Sequence, residues 1–497
     1  MISARILRHF HRWGWMLLVA ACYFAFTDAG LNEPDEGRYA EIAREMALPG
    51  GDWLTPHLNG IPHFQKPPLL YWCTAVSLKA FGAHPWAARL PVVFAALGTL
   101  ALAAWLARTF FGHGLHRTTV LVLSSSLGFY WLARLLTPDM MLTFWITAAI
   151  ACAVRRYFGG SERWGMAFFV VMGLGFLTKG PMALVVPICA TLGMRWGTPA
   201  AERPRMPWVV GMIVTLAIGL SWFIGESIRH RELFNYFAGY ELVQRFASGH
   251  HGRSKPFWFF ILVLPVAFLP WSTWVVGLAR DLWRRTRRRT PIGPRAGLLL
   301  GWVVPPFFIL SFSGSKLPTY ILPLLPALTL GVVAWSRLHG HRASAIHRTA
   351  FGMLGLLLLS GSVRDFADPL LAQQSDTADL AEIARSQPDF DKATLFASNV
   401  RAQGFTFMTG RLVSVTDDEA DVVLKPTPEQ KQRLFNNAAE LERAMAALPV
   451  AYGIVRRRDY GKTFPRKRWK ELGTEGDFTL LGRLPAPAEI AEDLPTP

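Results

Sequence analysis

The sequence predicts an α-helical polytopic membrane protein that ends in a small mixed α/β domain. Three observations carry this reading. First, 51% of the 497 residues are hydrophobic and 18% are charged, with a mean hydropathy of +0.25. Soluble chains carry about 25% charged residues, so disorder and an ordinary soluble fold are both disfavoured. Second, the apolar residues gather into stretches long enough to cross a bilayer, which takes about 20 residues of helix. Third, the net charge of +17 is unevenly placed. Residues 1–363 hold 34 basic and 14 acidic residues, whereas residues 364–497 hold 18 and 21.

Eleven apolar stretches are expected to span, at about 11–28, 86–111, 117–136, 139–157, 164–179, 181–196, 207–226, 257–280, 297–313, 318–336 and 347–363. Residues 67–82 read as a further span or as a helix lying on the surface. The apolar run after Arg5, Arg8 and Arg12 lacks a clear small-residue cleavage site, so it reads as a retained span. Cys22, Cys73, Cys152 and Cys189 each sit in apolar sequence without metal-ligand spacing and read as small hydrophobes.

Basic loops set orientation. With the N-terminus in the cytoplasm and eleven alternating spans, that side receives 21 basic residues against three acids. The opposite side receives 13 and 11. The run "RDLWRRTRRRTPIGPR" dominates the balance. Directly after a span it meets anionic lipid heads, and no nucleic-acid partner is expected. An odd number of spans places the tail outside, which in a bacterium is the periplasm, with the spans in the inner membrane. The expected division is a membrane part at 1–363 and a periplasmic accessory domain at 364–497. In that domain "KATLFAS", "RLVSV", "VAYGIV" and "FTLLGRL" read as strands, and "PEQKQRLFNNAAELERAMAAL" as one helix. The end "PAPAEIAEDLPTP" reads as disordered.

The first outer loop, at about 29–85, is far longer than a connecting loop needs to be. Seven of the 11 outer acids fall between Asp28 and Asp52. "PDEGRYAEIAREM" reads as an amphipathic helix with Asp35 near its start, as a catalytic acid or a helix cap. Asp139, just after Pro138, is a second acid at an outer span end, again as a functional group or a cap. Cations stand at the same level: Lys66, Lys179, Arg245, Arg253 and Lys316, with His250, His251 and Tyr320 nearby. One such lysine can snorkel to lipid phosphate. Four loops offering cations beside acids favour a shared anion site held by charge-assisted hydrogen bonds.

"PDEGRYAEIAREM", "GDWLTPHLNGIPHFQKPPLLYW", "TPDMML", "LGFLTKGPMALVVP", the "ELVQRF…H…PFWFF" segment and "SGSKLPTYILP" resemble, in order, the bacterial aminoarabinose transferases that modify lipid A. They also resemble the wider polyprenyl-phosphate-dependent family that includes protein O-mannosyltransferases. The resemblance implies the GT-C fold with about 11–13 transmembrane helices and an active site on the outer face. It also implies a sugar donor on undecaprenyl phosphate, and the absence of a nucleotide-sugar DxD motif agrees with that. It implies that Asp35 is the catalytic acid and Asp139 a second one, that Lys66 holds the carrier phosphate with help from Arg253 or Arg245, and that Tyr320 lines the pocket. Glu36, Arg38, Tyr39, Tyr71, Lys179, His250, His251 and Lys316 are the other expected substrate contacts. The aminoarabinose transferases usually carry Glu before the matched lysine, forming a metal site with a histidine matched by His250 or His251. Here that residue is Gln65, a poor partner for zinc, so no metal is expected. The expected acceptor is lipid A, another envelope glycan or protein Ser/Thr. A lipid-linked-sugar transporter should instead show inverted repeats and midplane acids, neither of which is seen.

Overall fold

A computed structural model describes residues 4–25, 27–112, 114–237, 255–367, 377–416 and 422–484. Each of the eleven expected apolar stretches holds helix: α1 (Ala4–Phe24), α4 (Pro85–Phe111), α5 (His116–Ser124), α6 (Leu127–Leu132), α7 (Pro138–Tyr157), α8 (Arg163–Lys179), α9 (Met182–Trp196), α10 (Trp208–Gly219), α11 (Ser221–Arg229), α12 (Phe259–Ala267), α13 (Ser272–Arg287), α14 (Pro294–Phe312), α15 (Leu325–Leu338) and α16 (Ala343–Ala367). Earlier in the chain, α2 (Asp35–Ala47) and α3 (Leu69–Phe81) occupy the first loop. Among the described residues, four helical stretches are long and apolar enough to cross a bilayer alone, and six if each bent pair is one span. The protein is a multi-pass membrane protein with a small C-terminal mixed sheet.

Three expected spans are broken: one is 207–226, which is the two helices α10 and α11 bent by 47°. The stretch 117–136 is two helices, because Ser124, Ser125 and Ser126 turn their hydroxyls back onto the Leu121 and Val122 carbonyls. Such local bonds compete with helix continuation. The stretch 257–280 is not straight: α12 and α13 meet at 118°, across a connection holding Pro270, which has no amide to donate. α3, at 13 residues, extends only about 20 Å, shorter than a bilayer core.

The chain forms two compact units. One comprises Asp28–Phe64, Tyr71–Leu90 and Ser362–Pro497. Its sheet has the order β3 (Thr394–Ser398), β6 (Ala451–Arg456), β8 (Phe478–Arg483), β7 (Trp469–Glu475). β3 and β6 are parallel, and the other neighbours are antiparallel. β7, which the sequence reading did not anticipate, forms a hairpin with β8. Helices α17 (Ala378–Arg385) and α18 (Gln403–Thr409) join a core with Leu395, Ile454 and Leu480. α19 (Ala438–Ala446) packs with Phe396, Phe464 and Trp469 in a second core. The single helix expected over 428–448 is broken. Asn437 caps α19 by accepting from the Glu440 amide at 2.9 Å, and asparagine favours a helix start over a helix interior. "RLVSV" contributes the two-residue β4 (Val415–Thr416), beside β5 (Leu434–Phe435). The expected disordered end lies outside the described residues.

In the same unit, α2 crosses α18 at glycines. A Cβ on Gly37 would fall 2.4 Å from the Gly404 amide nitrogen. Glu33 accepts from that amide and from the Thr377 hydroxyl. The short hairpin β1 (His57–Leu58) and β2 (Ile61–Pro62) is held by Asn59, which donates to the Val413 carbonyl and accepts from its amide.

The other unit comprises Met1–Thr27, Gln65–Leu70 and Pro91–Gly361. Leu106, Ile146, Phe168, Met172, Val186, Leu298, Trp302 and Leu330 meet in one buried core. Many outward residues are equally apolar, such as Leu17, Val209, Ile213, Ile228, Phe312 and Leu359, as lipid contact allows. Lipid supplies no hydrophobic drive between helices, so close packing must hold them. At the α9–α14 crossing the helices touch through their backbones: a Cβ on Gly297 would lie 2.2 Å from the Gly193 carbonyl oxygen, and one on Gly301 would lie 2.3 Å from that of Cys189. Gly297→Val should force these helices apart and cost about 1–3 kcal/mol, the usual range for overpacking. Thermal unfolding in detergent should show it; an unchanged midpoint would mean the crossing is not a tight constraint.

Candidate functional site

The first-loop acids divide by what their carboxylates do. Glu36 is enclosed: Arg89 donates to both its oxygens, at 2.9 and 2.7 Å, and Asn32 donates from its backbone at 3.1 Å. Arg89 also reaches the carbonyls of Ala29 and Gly30. It therefore ties the strand of chain leading into α2. Arg89 escaped the sequence reading, although an arginine at the start of an apolar helix signals a buried partner. Glu41 takes two bonds from Arg44 at 2.7 Å. Glu45 accepts from the Gly60 amide at 3.0 Å. Asp52 accepts from the Leu54 and Thr55 amides in a local turn.

Asp35 differs. It is the first residue of α2, and the helix has no side-chain cap, so Asp35 does not serve as the cap. Its carboxylate accepts from Arg38 at 2.5 Å, and its side chain stays 51% exposed. Arg38 is buried, with its guanidinium 5.4 Å from the centre of the Tyr39 ring. The Tyr39 and Tyr71 rings lie 5.6 Å apart. The Tyr71 hydroxyl is buried with no hydrogen-bond partner among the described residues, within electrostatic reach of Arg38 and Asp35. Asp35, Arg38, Tyr39 and Tyr71 thus come together, while Glu36 turns to Arg89. This arrangement can place an anionic oxygen beside a guanidinium and accept a proton at an exposed carboxylate.

A second constellation stands in the helical unit. Asp139 opens α7, and Lys179 closes α8. Each charge suits its helix end, and the two side chains form an ion pair that is 6% and 15% exposed. Asp139 makes no cap bond for α7. The Lys179 ammonium lies 4.8 Å from the centre of the Tyr320 ring. Lys316 is buried and donates to the carbonyls of Lys255 at 2.9 Å and Ser313 at 2.6 Å. Lys66 and Gln65 are half-buried in the turn before α3; the residue before a proline favours extended backbone, and Pro67 and Pro68 follow Lys66. Arg245, His250, His251 and Arg253 lie outside the described residues. A metal would need a donor set that Gln65 does not supply, because a neutral amide is a poor zinc ligand. Gln65 therefore does not fit a zinc site at this position.

With this geometry in view, the fold defines a class. The chain has the ArnT-like fold: over 95% of this chain and 98% of the other, it superposes on the crystal structure of ArnT from Cupriavidus metallidurans bound to undecaprenyl phosphate, with a TM-score of 0.77 at 24% identity. Residues 65–224 match the family model described as dolichyl-phosphate-mannose-protein mannosyltransferase, a segment that includes Lys66, Tyr71, Asp139 and Lys179. More particularly, the sequence resembles the undecaprenyl phosphate-α-4-amino-4-deoxy-L-arabinose arabinosyl transferases, as the motifs implied. It is 35% identical over 354 residues to transferase 2 of Sodalis glossinidius, covering 69% of this chain and 63% of that one. It is 33% identical over 367 residues to that of Edwardsiella ictaluri, covering 70% and 64%. The match thus spans a little under two thirds of the length of these relatives.

Two outcomes follow from the charges. Burial first, and Glu41 beside it second, push the Glu45 carboxyl up to about 8; the other groups facing it are Arg44, the Gly60 amide and Arg433. An unfolded glutamate titrates near 4.3, so the folded chain holds the extra proton between about pH 4.3 and 8. Stability should therefore fall as pH rises through that window. The unfolding temperature in detergent should drop from pH 5.5 to 8.5, and Glu45→Gln should flatten that drop; an equal slope in the variant would remove Glu45 as the cause. Asp139→Asn should cost about 3–5 kcal/mol by stranding a buried lysine. Combining it with Lys179→Met should cost less than the sum of the single changes, and strict additivity in denaturation would show that the pair is not coupled.

Proposed function

We propose that this protein is an inverting glycosyltransferase that takes a sugar from undecaprenyl phosphate and places it on an envelope acceptor. The observation that carries this is Asp35. Of the four acids in α2, the other three are turned inward to Arg89, Arg44 and Gly60, and Asp35 alone is held exposed, beside buried Arg38. The resemblance to the aminoarabinose transferases supplies the donor: undecaprenyl phosphate-4-amino-4-deoxy-L-arabinose, with lipid A as acceptor.

In the transfer, the bond between the anomeric carbon and the carrier phosphate oxygen breaks, and a bond from an acceptor oxygen to that carbon forms. Lys66, aided by Arg245 or Arg253, stabilises the phosphate as its charge grows. With a hydroxyl acceptor, the proton goes to Asp35. With an ionised lipid A phosphate there is no proton to remove, and Asp35 with Arg38 positions the acceptor. Asp139 and Lys179 set the shape and charge of the span ends. Because the matched family model is that of protein mannosyltransferases, protein Ser/Thr is the second reading of the acceptor. Mass spectrometry of lipid A and periplasmic proteins from a deletion strain separates the two. The distribution of basic residues supports a bacterial inner-membrane location, with the N-terminus in the cytoplasm and residues after 363 in the periplasm.

Asp35→Asn tests the reading. It keeps the side chain's size and removes its charge and base, at a cost to the start of α2 of only about 0.3–1 kcal/mol from the lost helix-dipole interaction. The purified variant should fold but transfer sugar to a hydroxyl acceptor at least about 10²-fold more slowly. Asp52→Asn, which preserves a turn acceptor, should stay near wild type. Near-normal transfer by folded Asp35→Asn would defeat the assignment.

A further inference from the structure

A half-open apolar cavity of about 240 Å³ lies at the bend between α12 and α13, lined by Leu264, Phe268, Thr273, Val275 and Val276 among others. From its mouth, one face of α13 runs outward through Thr273, Val276, Arg280, Trp283 with Arg284, and Arg287. These positions recur every three or four residues, so they share a stripe of the helix. All are exposed, with Val276 at 60% and Trp283 at 61%. The Arg287 guanidinium lies 5.1 Å from the centre of the Trp283 ring. The acid of this helix, Asp281, is engaged by α15 and the residue after it: Trp335 donates to it at 2.9 Å, and His339 lies 3.0 Å away. Arg284 reaches Asp281 at 3.6 Å and remains 63% exposed. Arg285, Arg288 and Arg289 extend the exposed positive surface.

The stripe therefore passes from apolar side chains, through an exposed tryptophan, to a cluster of guanidinium groups. That is the polarity sequence of a phospholipid from chain to headgroup. Guanidinium pairs with phosphate in a two-pronged geometry that ammonium lacks. A run that only fixes orientation requires no cavity beside it and no uninterrupted arginine face.

We infer that this elbow and the arginine stripe beyond it form a binding site for one anionic glycerophospholipid of the surrounding bilayer. An acyl chain enters the cavity beside Val276, and the phosphate lies against Arg280, Arg284 and Arg287. The inference does not depend on the transferase reading.

Native mass spectrometry of the full chain, purified in detergent and offered phosphatidylglycerol or phosphatidylcholine of identical acyl chains, tests this. Wild type should retain one phosphatidylglycerol in preference to phosphatidylcholine. Replacing the three arginines together (Arg280→Gln, Arg284→Gln, Arg287→Gln) should weaken phosphatidylglycerol about 100-fold, given roughly fivefold per cation. Val276→Trp, which fills the cavity, should weaken both lipids while the unfolding temperature holds. Equal retention of the two lipids by wild type, or unchanged phosphatidylglycerol binding in the triple variant or in Val276→Trp, would overturn the site. One-for-one displacement of phosphatidylglycerol by undecaprenyl phosphate would assign the surface to the polyprenyl carrier instead and overturn the phospholipid assignment.

Discussion

The geometry around Asp35 depends on how α2 is seated on α18. Gly37 and Gly404 let two helix backbones touch where any side chain would collide. Glu33 then accepts from the amide of that same Gly404, a donor that the first turn of a helix leaves without an intrahelical partner. One carboxylate thus replaces a cap for α18 and anchors the residue two positions before Asp35. Arg89 completes the hold by gripping Glu36 and the carbonyls of Ala29 and Gly30. With fixed residues on both sides, Asp35 need not be fixed by its own side chain, which is why it can be both exposed and well placed.

The same helix shows how burial sorts like charges into different tasks. An unpaired buried carboxylate is costly, so each inward acid of α2 has a donor supplied by another residue. Glu41 has the fork of Arg44, which satisfies both oxygens. Glu45 has a single amide and a carboxylate neighbour, so holding a proton costs it less than holding a charge. In the helical unit, Asp139 and Lys179 solve the same problem mutually. Glu33, Glu36 and Glu45 thus each hold a backbone amide in place.

Much of this was legible along the chain. Hydropathy located helix in every expected stretch, and the density of acids between Asp28 and Asp52 marked the loop that carries Asp35. The tail's mixed character was visible in alternating apolar runs. What stayed hidden was set by distant partners or by local competition. Nothing near Glu33 or Gly37 announces Gly404, because the contact closes across 371 residues. Arg89 resembles a topological charge until Glu36 is seen against it. The serine run at 124–126 and Asn437 break helices whose apolar spacing continues unbroken, since side-chain hydrogen bonds to the backbone leave no trace in hydrophobic periodicity. The turn at α12–α13 likewise sits inside a run that hydropathy reads as one span.

The crossing of α2 and α18 also has a meaning in time. A ribosome adds about 5–20 residues per second, so the 371 residues between Glu33 and Gly404 correspond to a wait of roughly 20–75 seconds. During that interval the early loop is synthesised while the surface that receives Gly37 does not yet exist. The glycine face of α2 spends this period without its α18 partner, and a late-made part of the chain is what allows an early-made loop to settle. Seating of that loop is thereby coupled to synthesis of α18, so a chain interrupted before Gly404 carries an unseated Asp35 whatever the state of its earlier helices.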